Sequence, residues 1–314
     1  MTKPHLLIFE SWDEWDIVPM QEAYTLVPMP QSGKVADLPP DTIPQITAMA
    51  FRGHSTLDAE IIDALPNLRM IANYGVGYDT IDVAHATAKG IKVSNTPDVL
   101  TEDVADLAVG MVIAQSRGMV GASDWIRSGN WAQDGAFRLQ RKVSGKRVGI
   151  VGLGRIGRAV AERLAPFDCD LHYFARAPKD TPGWTHHDDI ADLAKAVDIL
   201  VICLSGGSET AGIISRQVIE ALGPEGLLVN ASRGTTVDEA ALLDALESGA
   251  LGAAALDVFL NEPHIDPRFM ASDNVLLQPH QSSGTIETRK VMGELQRENL
   301  AAFFAGKPLV TPVN

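Results

Sequence analysis

Residues 147–164, "RVGIVGLGRIGRAVAERL", decide the fold. An apolar run ends in Gly152, Gly154 and Gly157, spaced GxGxxG, and a helical pattern follows at once. Each glycine has a physical task in such a turn. One makes the tight bend, one lets backbone approach a pyrophosphate, and one lets helix pack on strand. The helix start, with Leu153, Arg155 and Ile156 between the glycines, supplies N–H donors to phosphates. A glycine turn alone is a weak signal. A second apolar run, "DLHYFA" (170–175), follows at the interval that completes a dinucleotide-binding strand–helix–strand unit.

The end of that second strand meets the adenosine ribose, where a carboxylate would bind the ribose hydroxyls and repel a 2′-phosphate. Ala175 stands there instead, followed by Arg176, with Lys179 close behind. A hydrogen bond to a charged group is worth roughly 1.5–3 kcal/mol, so Arg176 alone shifts preference by about one to two decades. Absence of the acid and presence of the base both point to NADPH, with NADH the weaker alternative.

Beyond this unit the pattern repeats. "ILVICL" (199–204), "GLLVNAS" (226–232), "LGAAALDV" (251–258) and "NVLLQPH" (274–280) read as further strands, with helices such as "VDEAALLDALESG" between them. The first third shows the same alternation, with strands at "HLLIFE", "TAMAFR", "RMIANYG" and "KVSNTP". Short strands alternating with helices predict an α/β fold with parallel sheets. Ser55 or Thr56 is the expected cap of a helix bearing Leu57, Ile61 and Leu65. Thr101 is the expected cap of the helix "TEDVADLAVGMVIAQSR". The last helix, within 285–308, is predicted to bury Val291, Leu295 and Leu300 and to return to the first domain. Residues 121–141 are polar, carry two tryptophans and lack a clean period, so they read as an excursion.

At 314 residues the chain exceeds the size of a single growing core, which predicts two domains. The boundaries fall at 1–98 plus 285–314 for one and 99–284 for the other. The net charge of -14 argues against nucleic-acid and anionic-membrane partners. Cys169 and Cys203 lie in apolar runs without metal-ligand spacing, which predicts buried thiols, no metal and a reducing, cytoplasmic compartment. The apolar run near the N-terminus is too short for a signal peptide.

Three strand ends each deliver one ionisable group to one sheet edge: Arg233, Glu262 and His280. The set suits carbonyl reduction of a 2-keto acid. A guanidinium bridges carboxylate and carbonyl oxygen, an imidazolium donates the proton, and a carboxylate on its far nitrogen keeps it charged and oriented. Each also has a bland alternative, as salt-bridge arginine, turn glutamate or strand-capping histidine.

The motifs "GLGRIG", "NASRGTTVDE", "LDVFLNEP" and "PHQSSGT", with "ALPNLRMIANYGVGYDTID", resemble the D-isomer-specific 2-hydroxyacid dehydrogenases. The resemblance is strongest to the NADPH-preferring glyoxylate/hydroxypyruvate and hydroxyphenylpyruvate reductases. It implies a Rossmann-type cofactor domain inserted into a flavodoxin-like substrate domain, both doubly wound. It implies that Arg233 binds and polarises substrate, His280 donates the proton and Glu262 is its partner. The amides of Val76 and Gly77 would hold the substrate carboxylate. Thr101, Leu204, Ser205, Ala231, Ser232, Asp257 and Ser283 would surround the dinucleotide, although Asp257 also reads as a strand-end cap. It further implies a homodimer, with residues 121–141 embracing the partner. Arg52 is either a second cation for an acidic substrate or a solvated arginine. Trp12, Trp15 and Trp131 read more readily as packing residues than as pocket walls. A bulkier aryl pyruvate is the nearest variant substrate. A dinucleotide-sensing regulatory protein is the competing class, disfavoured by the complete Arg233, Glu262 and His280 set.

Overall fold

The computed structural model describes residues 3–53 and 55–314. The chain divides into two compact units, Met1–Leu100 with Gly284–Asn314, and Thr101–Ser283.

The first unit holds β1 (His5–Ile8), β2 (Thr25–Pro28), β3 (Ile46–Phe51), β4 (Met70–Asn73) and β5 (Lys92–Ser94), all parallel in the order β2-β1-β3-β4-β5. Alternation along each strand sends side chains to opposite faces. Leu7, Met49 and Ile71 enter one core, while Leu6, Ala48 and Met70 enter the other. Each fully buried leucine contributes about 1.5–3 kcal/mol relative to exposure. β2 was not among the expected strands. It is a four-residue edge strand with only Val27 buried, too short to show a period.

Two expectations for this unit are corrected. The helix Ala59–Asp63 is capped by Asp58, whose side chain accepts from the Ile61 N–H at 3.1 Å, and not by Ser55 or Thr56. Leu57 is still extended, bridging to Ile81, so the helix starts later. The helix Ile286–Phe304, which belongs to this unit, buries Met292, Gln296, Asn299 and Leu300 while Val291 is exposed. Its inward face carries two amides, which hid it from an apolar count. Gln296 Nε2 donates to Ala72 O at 2.7 Å. Asn299 Oδ1 accepts from the Val310 and Thr311 N–H groups at 3.0 Å each.

The second unit holds β6 (Arg147–Val151), β7 (Asp170–Phe174), β8 (Thr185–His187), β9 (Ile199–Ile202), β10 (Leu227–Asn230), β11 (Ala253–Leu256) and β12 (Val275–Leu277). They form one parallel sheet in the order β12-β11-β10-β9-β6-β7-β8. The order reverses beside β6, the arrangement of a doubly wound dinucleotide fold. β8 was also missed, because its sequence "THH" is polar edge strand. The helix Thr101–Ser116 begins at Thr101 itself, the residue expected before it. Residues 121–141 are part helical: Met119–Arg127 and Asn130–Gln133 are short helices with no buried residue.

Candidate active site

The glycine turn after β6 shows three distinct environments. Gly152 has φ 95°, and a Cβ on it would lie 2.8 Å from Cys203 O. A Cβ on Gly157 would lie 2.1 Å from Gly152 O, so the helix Arg155–Leu164 seats directly on the turn. Nothing lies within 4 Å of a Cβ on Gly154, the residue before that helix. Two glycines are thus demanded by packing, while the third faces open space at a helix N-terminus. That space suits a pyrophosphate approached by backbone. Leu153 is buried, Ile156 half-buried and Arg155 exposed.

Beyond β7, Ala175 leaves no carboxylate at the ribose position. Its carbonyl accepts from His186 Nε2 at 3.1 Å, and Lys179 is tied through its backbone to the Tyr173 hydroxyl at 2.8 Å. The Arg176 side chain is 93% exposed and lies 3.6 Å from Glu209, an ion pair too solvated to hold it. Leu204 is half-buried and Ser205 exposed after β9, where the Thr210 hydroxyl donates to Ser205 O at 2.7 Å.

The three strand-end candidates stand on tightly bonded supports. After β10, Asn230 Nδ2 and the Thr236 hydroxyl both donate to Arg233 O, at 3.0 and 2.7 Å. Asn230 Oδ1 accepts from the Ser232 N–H and hydroxyl at 3.0 and 2.8 Å. Ala231 and Ser232 are buried, while Arg233 is half-buried and donates through Nη1 to Ser232 O at 2.8 Å. A Cβ on Gly234 would meet Phe259 backbone at 2.0 Å, so this turn is wedged against the segment that carries Glu262. Asn230, Gly234 and Thr236 were not singled out in the sequence. The polar residue closing the apolar run "GLLV" was their available signal.

Glu262 Oε1 accepts from the Phe259 N–H at 2.7 Å, which orients the carboxylate. Its Oε2 lies 2.6 Å from His280 Nδ1, with both side chains mostly shielded, at 15% and 22% exposure. This leaves Nε2 as the imidazole atom able to donate to a reacting oxygen. His280 adopts φ 50°, an uncommon conformation for a residue with a Cβ. Asp257 holds it there. His280 N–H donates to Asp257 O at 2.8 Å, and the Asp257 carboxylate accepts from the Gln281 and Ser282 N–H groups at 2.8 and 3.0 Å. Asp257 is fully buried, and these contacts are those of a strand-end cap. Ser283 closes the unit half-buried, and Thr101 opens it half-buried.

In the first unit, the turn after β4 has its carbonyls drawn back. Asn73 Nδ2 donates to Gly75 O and Gly77 O at 3.1 and 2.9 Å, and Asn95 Nδ2 donates to Val76 O at 2.9 Å. The Val76 and Gly77 N–H groups donate to no described residue. Amides left in this way have the form of an anion-binding concavity. Asn73 and Asn95, its positioning residues, were not anticipated. Arg52 follows β3 between two aromatic rings, with its carbon 5.5 Å from the Trp12 centroid and 4.9 Å from that of Tyr74. Burial first, and then the Asp16 charge, pushes the Tyr74 phenol up to about 12, so it stays a donor, to Arg289 O at 2.6 Å. Trp15 is half-buried with Lys290 5.5 Å over its ring, and Trp131 is 62% exposed.

Cys169 and Cys203 are unpaired and only partly buried, where full burial was expected. Desolvation pushes both thiols up, Cys203 to about 12, so both remain protonated and inert at neutral pH. Among the described residues, no group of three or more His, Cys, Asp or Glu side chains could hold a metal ion, and no helix is long and apolar enough to cross a membrane.

Residues 109–282 match the NAD binding domain of the D-isomer specific 2-hydroxyacid dehydrogenases. The chain is 49% identical over 268 residues to hydroxyphenylpyruvate reductase of Plectranthus scutellarioides, covering 85% of each chain. The solved 2-hydroxyacid dehydrogenase of Ketogulonicigenium vulgare is similar at 51% identity and TM-score 0.92, over 100% of this chain and 99% of that one. The NADPH-dependent glyoxylate/hydroxypyruvate reductase of Sinorhizobium meliloti, solved with NADP and malonate, is similar at 39% identity and TM-score 0.94, over 99% and 97%.

Proposed function

The chain belongs to the D-isomer specific 2-hydroxyacid dehydrogenase family, and on that premise we propose that it reduces a short 2-keto acid, glyoxylate or hydroxypyruvate, to the D-2-hydroxy acid with NADPH. The observation that carries this reading is the His280–Glu262 pair, 2.6 Å apart on the sheet edge that also bears Arg233 and the open Gly154 turn.

The turn from Gly152 to Gly157 would hold the pyrophosphate of a dinucleotide, which when bound would supply the hydride. Arg176 and Lys179 would take its 2′-phosphate. Leu204, Ser205, Ala231, Ser232, Asp257, Ser283 and Thr101 would form the remaining walls. Arg233 binds the substrate and withdraws charge from the carbonyl, which stabilises the developing alkoxide. His280 Nε2 gives that oxygen its proton, while Glu262 stabilises the imidazolium and fixes its tautomer. The Val76 and Gly77 amides take the substrate carboxylate, at no cost in broken backbone hydrogen bonds.

Initial rates on glyoxylate and hydroxypyruvate, each with NADPH and NADH, test the proposal. Turnover with NADPH well above that with NADH is expected. Nucleotide binding without turnover on any 2-keto acid would favour the regulatory reading. A preference for hydroxyphenylpyruvate would align the chain with its Plectranthus relative.

We also infer a homodimer in the cytoplasm. Met119, Val120, Ile126, Trp131 and Leu139 expose large apolar surface in and beside the 121–141 excursion, more than a solvated arm requires. Two unpaired cysteines suit a reducing compartment. A monomer mass by light scattering would reject the dimer.

A further inference from the structure

Resting on the reading of Val76 and Gly77 as the carboxylate anchor, we propose that Arg52, paired with Asp13 and held by Trp12 and Tyr74, selects the far end of the substrate. The end it selects is a neutral, hydroxylated chain. The substrate class is then 2-keto acids with hydroxyl groups from C3 onward.

Topology places Arg52 where a ligand belongs. In a sheet ordered β2-β1-β3-β4-β5, the strand order reverses between β1 and β3, and ligands collect beyond the strand ends at that crevice. β1 runs on into Glu10, Ser11 and Trp12, and β3 runs on into Arg52. Tyr74, the ring nearest the guanidinium, immediately precedes the Gly75–Gly77 turn. In this proposal a keto acid anchored by its carboxylate on that turn runs its later carbons toward Arg52.

The guanidinium is fixed but not used up. Nη1 makes two long contacts, to Ser11 O at 3.3 Å and Asp13 Oδ2 at 3.4 Å. Nε and Nη2 donate to no described residue, and the side chain is 21% exposed. Trp12 and Tyr74 stand at 89° to each other, with the guanidinium carbon 5.5 and 4.9 Å from their centroids, so the cation is flanked by rings that accept none of its N–H donors in the plane of a carbonyl or carboxylate. Asp13 is also spared for another task. It occupies the cap position of the helix Glu14–Ala23, yet its side chain makes no capping bond. Aspartate is among the preferred capping residues, so its carboxylate turns toward Arg52 at the expense of a cap.

Charge decides between the possible far ends. Arg52 and Arg289 near Tyr74, with Arg297 on Asp16, meet the three carboxylates of Asp13, Asp16 and Glu10, the last with its Oε1 1.8 Å from where a Cβ on Gly53 would stand. No surplus positive charge is left for a second substrate carboxylate. An aryl group would compete with the guanidinium for the Trp12 and Tyr74 rings. Hydroxyls fit the set: they accept from the guanidinium and donate to Asp13 and Glu10.

The test uses the full-length protein with NADPH on glyoxylate, hydroxypyruvate, 2-ketogluconate, oxaloacetate and phenylpyruvate. Glyoxylate has no carbon beyond its aldehyde carbon and reports only the anchor and the chemistry. The wild type should give higher kcat/KM on hydroxypyruvate and 2-ketogluconate than on oxaloacetate or phenylpyruvate. Arg52→Met should lower the hydroxypyruvate-to-glyoxylate ratio of kcat/KM by about 10- to 100-fold, the loss expected for a hydrogen bond to a charged group. Arg52→Lys should recover only part of it, and Asp13→Asn should lower the ratio in the same direction. An unchanged ratio in Arg52→Met, or oxaloacetate or phenylpyruvate as the best substrate, overturns the proposal. Should Arg52→Met not fold, the wild-type substrate order and Asp13→Asn still decide. Failure of the wild type on every keto acid, glyoxylate included, would instead sink the reductase reading beneath it.

Discussion

The C-terminal edges of the two parallel sheets obey one topological rule and carry opposite kinds of chemistry. In the second unit, the catalytic candidates stand on bonded supports: His280 on Asp257, whose carboxylate takes two amides, Glu262 on the Phe259 N–H, and Arg233, through its carbonyl, on Asn230 and Thr236. In the first unit, the Val76 and Gly77 amides donate to no described residue, and Arg52 makes only contacts of 3.3 Å or longer. A group that must transfer a proton at a set place gains from being held before the substrate arrives. A group that recognises a ligand gains from unspent donors. Saturation marks reaction, and availability marks recognition.

The largest expected effect breaks the saturated edge. His280→Ala should lower kcat by about 100- to 10,000-fold, the range of a lost general acid, while NADPH affinity measured by fluorescence titration stays close to wild type. A comparable loss of nucleotide affinity would show that His280 holds the edge together instead of serving the reaction.

Next comes a contrast inside the first unit, where Asp16 is fully buried against Arg297. Burial pushes the Asp16 carboxyl up, and the Arg297 hydrogen bond and charge pull it back. Arg297→Ala should cost about 3–5 kcal/mol in urea unfolding, because it leaves a buried carboxylate without its partner. The double variant Asp16→Asn with Arg297→Met should cost less. If both cost the same, the helix packing and not the ion pair is what the variants disturb.

Legibility followed the same division. The Gly152–Gly157 turn, the parallel sheets and the Arg233, Glu262 and His280 set were readable because each announces itself locally, as spacing or as a polar residue closing an apolar run. The supports were not. Asn73, Asn95, Asn230 and Thr236 act through single hydrogen bonds to backbone carbonyls, and an isolated Asn or Thr carries no period. The inward face of the helix Ile286–Phe304 was misread because Gln296 and Asn299 are buried by bonding and not by hydrophobicity. β2 and β8 escaped because an edge strand needs neither length nor an apolar run.

A smaller effect tests availability within the second unit. Arg176, at 93% exposure, is a proposed cofactor contact there that is not held in advance. Ala175→Asp with Arg176→Ala should lower the NADPH-to-NADH ratio of kcat/KM by about 10- to 100-fold. An unchanged ratio would move the 2′-phosphate away from the β7 end.

The smallest effect belongs to the opposite end of the same sheet. Asp198 precedes β9 and accepts from Arg147, the first residue of β6, through the backbone N–H at 3.0 Å and Nη2 at 2.8 Å. The Arg147 hydrogen bond holds the Asp198 carboxyl below its ordinary value of 3.8. A depressed carboxyl stabilises the fold above its unfolded value, and the contribution is lost as pH falls through the folded value. Arg147 is 50% exposed, so the pair is worth no more than about 1 kcal/mol. Asp198→Asn should therefore lower Tm slightly at pH 7, and the gap to wild type should narrow as pH falls below 3.8. The kcat of Asp198→Asn on glyoxylate at pH 7 should match that of wild type. A gap that widens in acid would mean that Asp198 is not held by Arg147. A loss of kcat at constant Tm would mean that the N-terminal ends of the strands also serve the chemistry.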